Sequence, residues 1–227
     1  YEKARKLYEQ LGIKSGLAES LKGEGKVWAN YNDYARSIGL FQRAYDIYQQ
    51  LGDKVGLADI DYQLGVVMEN WGKLKRAESF YTSAFNIYHE KGDLFNEINM
   101  FLHFGEIQKK QGYYSKALKS YQKARELSEK INSEALHAVA LSNIAEVYFE
   151  LKQYDLALKY QQRALPLKKK IGDRRGIAVT MLDLGKLYCN KNNLDRATHY
   201  SDSALFFAKQ INNKGLLLEA YLLLSDI

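Results

Sequence analysis

Apolar side chains recur along this chain at helical spacing, in pairs of stretches separated by short polar breaks. Between residues 53 and 92, Leu57, Ile60, Leu64, Val67 and Met68 form one stripe on the face of a helix. Asn70-Trp71-Gly72 interrupts it, and Leu74, Ala77, Phe80, Tyr81, Ala84 and Ile87 form a second stripe that runs to Gly92. Asp53 is placed to accept backbone N–H groups at the start of the first helix, and Gly92 suits the left-handed conformation that closes the second. The pattern predicts a helical hairpin.

That hairpin repeats every 40 residues without insertion. Relatives of the link Leu51-Gly52-Asp53-Lys54-Val55-Gly56-Leu57-Ala58 begin at Leu11, Lys91, Ile131, Ile171 and Ile211, and the helix-stopping position within them holds Gly12, Gly52, Gly92, Asn132, Gly172 and Asn212. Mid-repeat turns carry Asn32, Gly72, Gly112, Lys152 and Asn192, of which only Lys152 is poorly suited to a left-handed turn. The register divides the chain into half a unit at 1–12, full units at 13–52, 53–92, 93–132, 133–172 and 173–212, and half a unit at 213–227. One hairpin cannot bury its own apolar face, so the units are expected to stack as a single array.

Two columns of small residues mark the closest packing. The first helices contribute Gly25, Gly65, Gly105, Ala145, Gly185 and Ser225, and the second helices alanine six times, from Ala4 to Ala204. Glycine inside a helix costs about 1 kcal/mol against alanine, so its recurrence points to backbones that approach closely.

These residues resemble the tetratricopeptide repeat. The family pattern reads as Leu64-Gly65, Met68, Ala77, Tyr81 and Ala84, then as Phe104-Gly105, Gln108, Ala117, Tyr121 and Ala124, and continues through Ile144-Ala145 and Leu184-Gly185. The resemblance covers the whole chain and implies an all-α, right-handed superhelical solenoid of antiparallel helix pairs, about twelve helices in all. The 40-residue Gly-Asp-x-x-Gly form is similar to repeats of bacterial regulatory and sensor proteins. In the first full unit Glu24 and Ser37 depart from the pattern, which predicts a distorted hairpin there. Gln161 and Ser201 lack the aromatic of their column, with Tyr160 and Tyr200 one place earlier, and Pro166 predicts a kink in its helix.

By the same resemblance the first helices line a concave groove, and its candidate partner-binding residues are Tyr62, Gln63, Asn99, His103, Glu106, Lys110, Asn143, Glu146, Asp183 and Lys186. Members that bind chaperone tails clamp two carboxylates, but the corresponding places here hold Lys22, Lys26, Gln63, Asn99 and His103, too little of that clamp to assign its ligand. The expected partner is a protein or peptide segment, with the chain acting as the sensing or scaffolding part of a larger bacterial regulatory protein. A structural module working through its ends or convex face is the competing class.

Composition changes this picture little. Hydrophobic residues make up 46% and charged residues 26%, as in ordinary folded chains, and a single proline favours helix throughout. The 33 basic and 27 acidic residues are interspersed, a poor footprint for nucleic acid. No apolar run nears the roughly 20 residues of a membrane span. His89, His103, His137 and His199 lack metal-ligand spacing, Cys189 reads as a small packing residue, and no catalytic constellation or cofactor motif is present. Neither enzyme activity, a metal nor a cofactor is expected. The run Lys168-Lys169-Lys170 with Arg174-Arg175 reads as a solvated helix end. The compartment is open, cytoplasmic by default and periplasmic if the chain is fused to a membrane sensor. Finally, Leu216 to Ile227 is apolar on nearly every side, so the helix there is expected to be covered by another repeat, a connecting helix or a second copy, through Leu217, Tyr221 and Leu224.

Overall fold

A computed structural model describes residues 1–227 and shows twelve α-helices and no strand, with 85% of the residues helical. The chain divides into two compact units, Tyr1–Ile107 and Gln108–Ile227. The first contains α1 (Glu2–Leu11), α2 (Lys14–Asn30), α3 (Tyr34–Leu51), α4 (Lys54–Asn70), α5 (Leu74–Lys91) and most of α6 (Leu94–Lys110). The second holds α7 (Tyr114–Lys130), α8 (Glu134–Glu150), α9 (Tyr154–Lys170), α10 (Arg174–Asn190), α11 (Leu194–Gln210) and α12 (Lys214–Ser225).

Helix boundaries follow the capping chemistry. Asp53 and Asp173 accept the backbone N–H of Gly56 and Gly176 at 2.9 and 2.8 Å, so the Gly-Asp-x-x-Gly link is a stop followed at once by a start. At the stop, Gly52 has a φ of 67°, its N–H reaches the Gln49 carbonyl and the N–H of Asp53 reaches that of Tyr48, which satisfies two helix-end carbonyls. All eleven predicted turn positions adopt positive φ, Lys152 included at 58°. Repeat context therefore overrides the poor intrinsic preference of that lysine. Because the turns are so short, successive helices in contact run antiparallel.

Packing bears out the small-residue columns. A Cβ added to Gly25 would lie 2.7 Å from the Phe41 ring, one added to Gly65 2.5 Å from the Tyr81 ring, and one added to Gly185 2.8 Å from the Ser201 hydroxyl. Ala44, Ala84, Ala124, Ala164 and Ala204 are all buried. The distortion expected of the first full unit is absent. Helices α2 and α3 begin 40 residues before α4 and α5 and have the same lengths. Glu24 is accommodated because Arg5 of α1 donates to its carboxylate at 2.9 Å, while Ser37 is buried with its hydroxyl unpartnered. Helix α9 runs unbroken from Tyr154 to Lys170 through Pro166.

Two other expectations need correction. Lys168 is not part of a solvated helix end: it is 5% exposed, in a column whose other members are Tyr8, Tyr48, Tyr88, Ser128 and Ala208. The rest of that run, Lys169, Lys170, Arg174 and Arg175, faces solvent. In α12 the exposed apolar side chains are Leu218, Tyr221 and Leu222, whereas Leu217 and Leu224 are half-buried. The helix is rotated relative to the expected face because Ala220 and Leu223 turn inward against Ile177, Met181 and Ala204.

Candidate binding face

In the first unit, the first helices α2, α4 and α6 carry a linked set of polar and aromatic side chains. The Tyr81 hydroxyl, from α5, donates to Glu69 Oε2 at 2.9 Å, and the same oxygen lies 3.1 Å from Nδ1 of His103. His103 Nε2 is 3.2 Å from the Tyr62 hydroxyl, and its ring stacks on Tyr81 with centroids 4.6 Å apart. Burial and the nearby Glu69 carboxylate raise the Tyr62 phenol above its usual range. Tyr62 and His103, each named from sequence as a groove residue, meet here. Glu69 and Tyr81 complete the cluster. A second set lies nearer the start of the unit, where Lys22 of α2 pairs with Asp59 of α4 at 3.1 Å and Tyr88 donates to Asp59 at 2.8 Å. Gln63 is half-buried, and Asn99 donates to the Phe95 carbonyl of its own helix at 3.2 Å. Glu106 is half-buried.

In the second unit, a pocket of about 220 Å³ opens on the same kind of face. Its walls are Lys109, Ala145, Glu146, Phe149 and Glu150, with Gln161, Asp183, Lys186 and Leu187. The pocket arises from a gap in the repeat. Position 161 holds glutamine where the repeats at Phe41, Tyr81 and Tyr121 bury an aromatic ring, and the nearby Tyr160 stacks on Tyr148. Lost ring volume becomes empty space, and the shorter side chain brings an amide into it.

Beneath the pocket runs a chain of buried polar groups. Lys168 Nζ donates to Ser142 Oγ and to Thr180 Oγ1, each at 2.7 Å. Ser142 Oγ donates to Gln161 Oε1 at 3.3 Å, and Gln161 Nε2 donates to Asp183 Oδ2 at 2.8 Å. No carboxylate lies within ion-pair distance of Lys168, and burial holds its ammonium pKa below the ordinary lysine range. Asp183 has no ion pair either. Burial pushes its carboxyl up to about 7, the negative charge of Glu146 adding to the shift and Lys186 and Lys168 opposing it. At the rim, Lys109 is paired with Glu146 and Lys186 with Glu219 of α12.

The pocket thus gathers Glu146, Asp183 and Lys186 from the expected set; Asn143, half-buried, and Lys110, exposed, lie outside its lining. Gln161 and Lys168 are site-forming residues that the sequence reading missed. The signal was available in the 40-residue columns, which mark both positions as interior whatever residue fills them. No cluster of three or more potential metal ligands is present, and no helix is long and apolar enough to cross a membrane.

Paired helices in 40-residue register, closed on glycine or asparagine and packed on alanine and glycine columns, define a helical repeat protein. Its fold is that of tetratricopeptide repeat solenoids. Residues 136–210 match the family model for tetratricopeptide repeats, and residues 66–166 match that for the soluble NSF attachment protein. A search of curated protein sequences gives no match. The fold is similar to that of BtubC (BKLC) from P. vanneervenii, with 22% identity and a TM-score of 0.78 over 93% of this chain and 88% of that one. It is similar as well to aspartyl phosphate phosphatase F from Bacillus subtilis, with 15% identity and a TM-score of 0.85 over 97% of this chain and 58% of that one. The Rap conjugation gene regulator of plasmid pLS20, solved in complex with the Phr* peptide, matches with 16% identity and a TM-score of 0.78, over 92% of this chain and 57% of that one. This chain spans little more than half the length of the last two.

Proposed function

We propose that the faces built by the first helices bind an extended segment of a partner protein or a peptide, and that the chain is the sensing or scaffolding part of a larger bacterial signalling or transcription-regulatory protein. The observation that carries this reading is the pocket between α8, α9 and α10, in which polar groups converge on empty space beside exposed polar side chains. A segment on the face of the first unit would satisfy its backbone on Gln63 and Asn99 and meet charge at Glu106, and a segment on the face of the second would use Asn143 and meet charge at Lys110, Glu146, Asp183 and Lys186. The fold likeness to a regulator solved with a bound peptide supports the same reading.

A second reading, assembly through the end of the chain, is favoured by one observation. Leu218, Tyr221 and Leu222 of α12 are 61%, 52% and 55% exposed, which gives an apolar strip suited to a second surface.

The test is to select binding segments from a random peptide display and measure their affinity for altered chains. Gln63→Ala with His103→Ala in the first unit, and Asn143→Ala with Lys186→Ala in the second, should each weaken binding by about tenfold, the worth of one or two hydrogen bonds. Lys169→Ala with Lys170→Ala should leave it within about twofold, the range expected of a solvated charge. Binding lost with the lysines and kept in both polar variants would place recognition on another surface.

A further inference from the structure

We propose that the pocket of the second unit takes the guanidinium group of an arginine side chain carried by the bound segment, a subsite that rests on the segment-binding reading above. Three observations lead there. The cavity of about 220 Å³ is below the roughly 300–1,000 Å³ of sites for whole small molecules, so it suits one side chain of a larger ligand. Its deepest charged group, Asp183, accepts one neutral hydrogen bond, from Gln161, and faces no cation within ion-pair distance. The surrounding charges leave a vacancy for a cation rather than an anion: both rim lysines already have carboxylate partners, while Glu150 makes no ion pair.

Guanidinium fits better than ammonium on physical grounds. It is the more weakly hydrated cation and therefore the easier to bring against Ala145, Phe149 and Leu187. Its planar fork can donate to Asp183 while other N–H groups reach Glu150 or Glu146, and its face can rest on the Phe149 ring. The charged groups around Asp183 belong to this arrangement: Lys109 from α6, Glu146 and Glu150 from α8, Lys168 from α9, Lys186 from α10 and Glu219 from α12. The site exists because Gln161 leaves the room that a tyrosine would fill.

The test uses the full chain and two acetylated, amidated pentapeptides, Gly-Ser-Arg-Ser-Gly and its counterpart with neutral citrulline in place of arginine. Methyl NMR should show Ala145 and Leu187 shifting with the arginine peptide, which should bind at least tenfold more tightly than the citrulline peptide. Asp183→Asn should abolish that preference, and Gln161→Tyr should remove the Ala145 and Leu187 response. Equal binding of the two peptides, or shifts confined to residues outside the pocket, would overturn the proposal. The citrulline comparison needs no altered protein, so misfolding cannot imitate failure. Display-selected segments that respond to the Asn143 and Lys186 variants but show no preference for arginine would sink this subsite alone and leave the binding face intact.

Discussion

Replacing Tyr81 by alanine is expected to lower the unfolding free energy by about 3–5 kcal/mol, the range for truncating a fully buried aromatic side chain. The ring is 0% exposed and fills the space left by Gly65, where any Cβ would collide with it. It also stacks on His103, meets Phe104 edge-on and donates its hydroxyl to Glu69. Alanine would leave a cavity and remove a hydrogen bond to a half-buried carboxylate. Tyr160→Ala should cost far less, because Tyr160 is half-buried and its main ring contact is Tyr148. Urea denaturation of both variants measures the difference; similar losses would mean that the aromatic column does not carry the packing assigned to it.

The second large effect concerns pH. Asp183 titrates near 7 in the folded chain, against about 3.9 for an unperturbed aspartate. The folded state therefore keeps a proton that the unfolded chain gives up between those values. The stability this confers is complete below about pH 4 and is lost as the pH rises through 7. Asp183→Asn keeps an oxygen to accept from Gln161 but carries no charge. At pH 8 the variant should be more stable than the native chain by roughly 2–4 kcal/mol, the upper figure being the full shift and the lower one discounted for partial exposure. At pH 4 the two should be nearly equal. Denaturation curves at pH 4, 6 and 8 provide the measurement, and a difference that does not change with pH would contradict the burial of this carboxylate. Because the same substitution is expected to abolish arginine preference, stability and binding would move in opposite directions at this residue.

The architecture was legible because its causes are local and repeated. Gly52-Asp53 and Gly172-Asp173 each stop one helix and cap the next, and the apolar stripes between them have helical period. Register placed Tyr62 and His103 on the same kind of helix face, and the contact between them is what the structure adds. What the sequence concealed depends on several helices at once. The missing aromatic at Gln161 was visible, but the pocket it opens needs Asp183 from α10 and Phe149 from α8 around the same space. Lys168 was misread because a lysine in a basic run ordinarily reaches solvent; here the repeat column directs it inward, where the Ser142 and Thr180 hydroxyls accept its hydrogen bonds. In α12 nearly every residue is apolar, so periodicity could not decide which side packs. The contacts of Ala220 and Leu223 decide it.

The most direct test of segment binding on the first-helix faces is photo-cross-linking of a display-selected segment. A photoreactive residue would be moved along that segment and the attachment sites located by mass spectrometry. The account predicts attachment to Tyr62, Gln63 or His103 in the first unit, or to Asn143, Phe149 or Lys186 in the second. Attachment confined to Leu218, Tyr221 and Leu222 would contradict it and place recognition on α12 instead.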